Sequence, residues 1–120
     1  MEQNKRQEVL TSAFVNIINN MDFSDDKLTK ILKTPDDYIS ALREKNRVVE
    51  TQEPEGKNVA KFIITMESLY SLVGGKKEEA LRWLNAPNPN FEDRPPMDVM
   101  QDDKGLQTIF TYLKESNKSR

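Results

Sequence analysis

Apolar residues recur along this chain at three- and four-residue intervals, in short stretches separated by polar or proline-containing breaks. Leu10, Phe14, Ile17, Ile18 and Met21 share one face of a segment from about Gln7 to Met21, leaving Gln7, Thr11, Asn16 and Asn19 for the other. Ser24 offers an N-cap to a short second helix that buries Leu28, Ile31 and Leu32 and ends near Lys33. Asp25 and Asp26 fall in its first turn, where the helix dipole favours anions. Thr34 as cap, Pro35 at the first helical position and Asp36 and Asp37 in the first turn then start a third helix. It buries Tyr38, Ile39 and Leu42 and fades near Lys45. Two short helices joined so tightly, after a longer one, form a helix-turn-helix pattern.

Val48 to Lys57 breaks the rhythm. Val48 and Val49 suit one extended contact, while Glu50, Glu53, Pro54, Glu55 and Gly56 read as an exposed loop. A longer helix is expected from about Asn58, with Val59, Phe62, Ile63, Met66, Leu69, Tyr70 and Val73 on its apolar side and Gly74 at its end. Glu78 to Ala86 reads as a short helix stopped by Pro87 and Pro89. Pro95 and Pro96 open a brief helical turn, and Leu106, Ile109, Phe110 and Leu113 mark a last helix from about Lys104 to Lys114. The polar tail, Glu115 to Arg120, is expected to fray. No stretch alternates as a strand would, so the expected fold is all-α.

Composition narrows the chemistry. The 120 residues suit one ordinary domain or two small helical units, and 32% charged residues with a net charge of -2 leave no bulk cation for polyanions. There is no cysteine and no histidine. Disulfides, thiolate catalysis, cysteine-ligated metals and any Ser-His-Asp device are therefore excluded, along with the usual general base near neutral pH. No apolar run approaches the ~20 residues of a membrane span, and the polar stretch Met1 to Gln7 does not lead into a signal-peptide core. The expectation is a soluble, cytoplasmic protein. On that expectation the match of Asn117-Lys118-Ser119 to a glycosylation acceptor is a chance one.

Several residue groups invite chemistry that their spacing denies. Gly74-Gly75-Lys76-Lys77 lacks the full phosphate-loop pattern and follows a helix rather than a strand, so it reads as a helix C-cap. The pairs Asp36-Asp37, Glu92-Asp93 and Asp102-Asp103 are sequence neighbours, which diverge by about 100° on a helix and do not converge on one substrate atom. Enzymatic activity is not expected. The helix-turn-helix pattern raises DNA binding, with Lys27, Lys30 and Lys33 along the second helix and Ser40, Arg43 and Arg47 in and after the third. Asp36 and Asp37 oppose it, because they occupy the turn that would enter the groove. A structural or dimerising use of the same helices stays open.

The densest pattern lies in the second half: ALRWLNAPNPNF over Ala80 to Phe91, RPPMDVM over Arg94 to Met100, then Gly105 and LQTIFTYL. Trp83 and Leu84 anchor a short helix, and Pro87 and Pro89 stiffen the loop after it by locking φ and restricting their predecessors. Asn85, Asn88 and Asn90 supply amides that hold turns or meet a partner. A stiff loop loses little ordering entropy on docking, which suits protein recognition.

This run resembles the toxin-binding domain of Xre/MbcA/ParS-type antitoxins, which pairs an A-x-x-W-L helix with a P-N-P loop, a proline-led turn and a glycine opening the last helix. The upstream LTKILKTPDDYISALR resembles the degenerate helix-turn-helix that precedes the domain in these antitoxins. The resemblance divides the chain into a helix-turn-helix region at 7–68 and a toxin-binding domain at 69–118. Trp83, Leu84, Pro87, Asn88, Pro89, Pro96 and Gly105 match the family pattern, whereas Glu92-Asp93-Arg94 stands where relatives often carry a glycine. The end, from Lys114 to Arg120, lacks the glycine-containing finish common in the family. Membership implies an antitoxin that needs no cofactor and covers the active-site entrance of a RES-domain, NAD-consuming toxin. It also implies a homodimer or a hetero-oligomer with the toxin, and frequent repression of its own operon. The residues expected to face the toxin are Trp83, Asn85, Asn88, Pro89, Arg94, Lys114 and Lys118. The alternative is a stand-alone helix-turn-helix transcription regulator whose C-terminal half only oligomerises.

Overall fold

The computed structural model describes residues 2–118, with side chains from residue 5 onward. Among them the order is α1 (Glu2–Asn20), α2 (Asp25–Leu32), α3 (Tyr38–Arg43), α4 (Pro54–Leu72), α5 (Lys77–Asn85), a 3-10 turn (Pro89–Phe91), α6 (Pro96–Val99) and α7 (Gly105–Lys118). The fold is all-α. The only strand-like feature among the described residues is a single antiparallel bridge between Asn88 and Arg94. The chain forms two compact units, Met1–Ile63 and Ile64–Arg120, divided within α4.

The first unit is built around aromatic rings. Phe62 meets Phe14 edge-on with centroids 5.7 Å apart and Phe23 edge-on at 5.2 Å, and Ile18, Leu28, Leu32, Ile39 and Leu42 are buried. Each such side chain removed from water contributes about 1.5–3 kcal/mol. Ser24 caps α2 as its position requires, its Oγ accepting from the Lys27 N–H at 3.2 Å. At the other end of α2, Asn58 Nδ2 donates to the Leu32 carbonyl at 2.8 Å, supplying a partner that the end of the helix lacks.

Helix starts differ from the sequence reading at three places, and α1 already begins at Glu2 rather than near Gln7. α3 starts at Tyr38, so Thr34 is not its cap and Pro35 is not its first residue. The Tyr38 N–H instead bonds the Pro35 carbonyl at 3.1 Å, and Thr34 Oγ1 is buried without a partner. A left-handed Lys33 (φ 57) closes α2 and turns the chain early. α4 starts at Pro54 rather than Asn58, so Pro54 to Gly56 is helix rather than loop. Proline suits a first helical position because its missing N–H would have no helical partner there. Gly56 is required just after it, since a Cβ would stand 1.9 Å from the Glu50 carbonyl oxygen. The buried Val49 lies before that turn, its N–H held by Thr11 Oγ1 at 2.8 Å.

In the second unit Ala80, Leu84, Met97, Met100, Leu106, Ile109 and Leu113 form the core. α4 ends in a Schellman closure, with Gly74 N–H to Ser71 O at 3.4 Å, Gly75 N–H to Tyr70 O at 2.8 Å and both glycines at positive φ. α7 extends to Lys118, beyond the expected Lys114. The expected fraying from Glu115 gives way to helix because Asn117 Nδ2 donates to Ser68 O and to Leu113 O, each at 3.0 Å. The last two residues of that tail lie outside the described residues. Gly105 opens α7 in close contact with the chain ahead of it: a Cβ there would lie 1.8 Å from the Val99 carbonyl oxygen.

Candidate protein-binding site

The motif from Trp83 to Phe91 folds into a stiff corner. Ala86 leaves α5 in an extended conformation, and the next proline permits no return to helix. Asn88 then organises the loop. Its Oδ1 accepts from the Asn90 N–H at 2.9 Å and from Asn90 Nδ2 at 3.2 Å, and its carbonyl accepts from the N–H groups of Phe91 and Asp93, both at 2.9 Å. Asn88 is only 9% exposed. Glu92 and Asp93 both take the left-handed conformation, φ 58 and 63. A side chain in that conformation costs roughly 1–2 kcal/mol per residue, so glycine would suit either position.

Three rings gather beside the loop. Trp83 stacks on Tyr112 with centroids 6.1 Å apart and planes inclined by 25°, while Phe91 meets Tyr112 edge-on at 5.0 Å and Trp83 at 6.4 Å. All three are half-buried. Asn90 Nδ2 donates to the Tyr112 hydroxyl at 3.0 Å, which ties the loop to α7. Next to Trp83 lies an open groove of about 270 Å³, lined by Val73, Trp83, Ala86 and Pro87 on its apolar side and by Glu79, Arg82 and Asn88 on its polar side. Glu79 and Arg82 neutralise each other at 2.8 Å.

The residues expected to face a toxin separate into two kinds. Trp83 and Asn88 line one groove, and Pro89, next in sequence to Asn88, is exposed. Asn85 is exposed but folds its amide back onto the Leu81 carbonyl at 2.8 Å. Arg94 is bound by both carboxylate oxygens of Asp102, at 2.6 and 3.0 Å, and that pairing raises its already high pKa. Asp102 thus braces the loop rather than forming an acidic pair with Asp103. Lys114 lies 5.2 Å from the Phe110 ring centroid and Lys118 is 3.6 Å from Glu115; both are on α7 and exposed. Sequence reasoning passed over Phe91 and Tyr112, and named Asn90 only as an amide that holds a turn or meets a partner. Tyr112 lies one position before Leu113 of the buried stripe, the one available signal that its ring skirts the core edge.

In the first unit, Lys27, Lys30 and Lys33 are exposed along and just after α2. Ser40 donates to the Asp37 carbonyl at 3.1 Å. Arg43 is occupied internally: its Nε donates to Asp25 Oδ1 at 3.0 Å, one terminal nitrogen bonds Asn19 and the other reaches the Phe23 carbonyl at 3.4 Å. Arg47 sits over the Tyr38 ring, 4.6 Å from its centroid, and 3.6 Å from Glu53. Among the described residues no group of three or more acidic side chains gathers as a metal site, and no helix is long and apolar enough to cross a membrane.

A half-buried aromatic cluster beside a braced proline loop is the candidate protein-binding surface of the second unit. Residues 68–115 match the family model of the antitoxin Xre/MbcA/ParS C-terminal toxin-binding domain. No curated protein matches the chain.

Proposed function

We propose that this protein is a non-enzymatic cytoplasmic antitoxin that binds a RES-domain, NAD-consuming toxin through its second unit and covers the entrance to the toxin's active site. The observation that carries the reading is the accessible edge formed by Trp83, Pro89 and Phe91 within the matched segment. A loop already fixed by Asn88, Arg94 and two prolines loses little entropy on docking, which favours tight association. The first unit then serves to pair copies of the chain or to contact operator DNA. Exposed Lys27, Lys30 and Lys33 favour the operator role, through phosphate contacts. Arg43 and Arg47 contribute to fold rather than to that surface, because each is engaged within the unit. The test is co-expression with the neighbouring open reading frame, read by growth rescue and co-purification. We expect rescue by the wild type, and loss of rescue and of the complex with Trp83→Ala at an unchanged helical signal. Rescue that persists with Trp83→Ala, or a wild type that captures no RES-domain partner, refutes the reading.

A further inference from the structure

Tyr112 is the point at which the loop meets a regular helix. Its ring stands against both other members of the cluster, stacked on Trp83 at 6.1 Å and edge-on to Phe91 at 5.0 Å. Its hydroxyl accepts from Asn90 Nδ2 at 3.0 Å. The Asn90 amide has two hydrogens, and the other is directed to Asn88 Oδ1 at 3.2 Å. One amide thus joins the residue that organises the loop to α7. The other fastenings act elsewhere: the bonds to Asn88 Oδ1 stay within the loop, and Asp102 grips Arg94 beyond the 3-10 turn. Helix α7 is a firm base, because Leu106, Ile109 and Leu113 are buried. The Asn90–Tyr112 bond itself closes no core, since Asn90 is exposed and Tyr112 half-buried. What it fixes is the turn that carries Pro89 and Phe91.

We infer that Tyr112 is a positioning residue for toxin capture: through Asn90 it holds the Pro89–Phe91 turn in the conformation that presents Phe91 beside Trp83. The inference rests on the antitoxin reading above and adds to it a residue of α7 that acts through the loop rather than by touching the toxin. A turn released from α7 has to be ordered when it docks, so the loss falls on affinity rather than on the fold.

The test is a double-mutant cycle on the full chain, read by isothermal titration against the toxin encoded by the neighbouring open reading frame. Tyr112→Phe keeps the ring and removes the acceptor, whereas Asn90→Ala removes the donor and leaves the residue 90 backbone N–H on Asn88. Each should weaken binding by about two- to tenfold, the range of one net hydrogen bond. The double variant should bind no more weakly than the worse single one. In the free Tyr112→Phe protein the Phe91 and Asp93 amides, both bonded to the Asn88 carbonyl, should exchange faster than in the wild type. The Ile109 and Leu113 amides in the core of α7 should not, which separates a local release from a general loss of stability. Losses that add in the double variant assign separate toxin contacts to the two side chains and overturn the inference. So do wild-type affinity in Tyr112→Phe, unchanged exchange at Phe91 and Asp93, and faster exchange that reaches Ile109 and Leu113 equally. A wild type that binds no toxin overturns the antitoxin reading and the inference with it.

Discussion

Replacing Gly105 by alanine isolates the joint on which the second unit turns. The added Cβ would lie 1.8 Å from the Val99 carbonyl oxygen and 2.9 Å from the backbone carbons of Val99 and Met100, where real Cβ contacts stay above 3.0 Å. All three atoms are backbone, so no rotamer change relieves the clash, and the α6 end must move by about 1.2 Å or more. That carbonyl also accepts the Asp102 N–H at 3.0 Å, and Asp102 in turn holds Arg94 in the binding loop. Overpacking of this kind costs about 1–3 kcal/mol and the disturbed turn bond about 1 kcal/mol. Alanine's better helix propensity returns less than about 1 kcal/mol at this first-turn position. Destabilisation wins by about 2–3 kcal/mol, which lowers the midpoint of a unit this size by roughly 10 °C or more. Circular dichroism reads the global melt, and the chain's single tryptophan, Trp83, reports the second unit by fluorescence. A Gly105→Ala protein that melts at or above the wild-type temperature by both signals refutes the packing argument.

Two further outcomes follow from backbone strain and from burial. Glu92→Gly should raise stability by about 1 kcal/mol, because glycine takes φ 58 without the left-handed penalty, and a thermal melt with no increase would count against strain at that residue. Burial pushes the Tyr38 phenol up to about 12 from 10.0; Arg47 opposes the shift, while Glu55, Glu53 and Glu50 add to it. The unfolded chain therefore loses this proton first. Tyr38's contribution is complete below pH 10 and declines by about 2–3 kcal/mol as the pH rises towards 12. Urea melts at pH 9 and pH 11.5 should show the decline in the wild type beyond that in Tyr38→Phe, and equal declines would refute it.

Local signals made much of the fold legible. Helical spacing placed most of the buried positions, although Thr11, assigned to the outer face, is buried and holds the Val49 N–H; Ser24 behaves as the cap its position suggests, and Gly74 closes α4 where a left-handed residue is needed. Thr34 and Pro35 misled because they satisfy the local rules for a helix start, while the left-handed Lys33 turns the chain before them. Lysine carries no sequence mark of that conformation, at Lys33 or at Lys45, which adopts it as well. The start of α4 was hidden for another reason: Pro54 and Gly56 look like loop punctuation unless Glu50's close approach to Gly56 is known. At the site, Trp83, Asn88 and Pro89 were visible as a motif. Tyr112 was not, because its pairing with Phe91 and Asn90 spans some twenty positions and exists only in three dimensions.

The strain in the loop bears on its use. Two consecutive non-glycine residues in the left-handed region cost roughly 1–2 kcal/mol each, and a loop that only connected α5 to α6 could relax. Here the surroundings forbid relaxation: Asn88 binds the N–H groups of Phe91 and Asp93, and Asp102 clamps Arg94 from beyond α6. The conformation is therefore imposed by groups on both sides of it, the condition under which backbone strain persists and marks functional segments. What the clamp preserves is the placement of Phe91 edge-on to Trp83, which belongs to the surface that the proposed antitoxin reading offers to a partner. A connector has no need of that placement, whereas the proposed toxin-blocking role does.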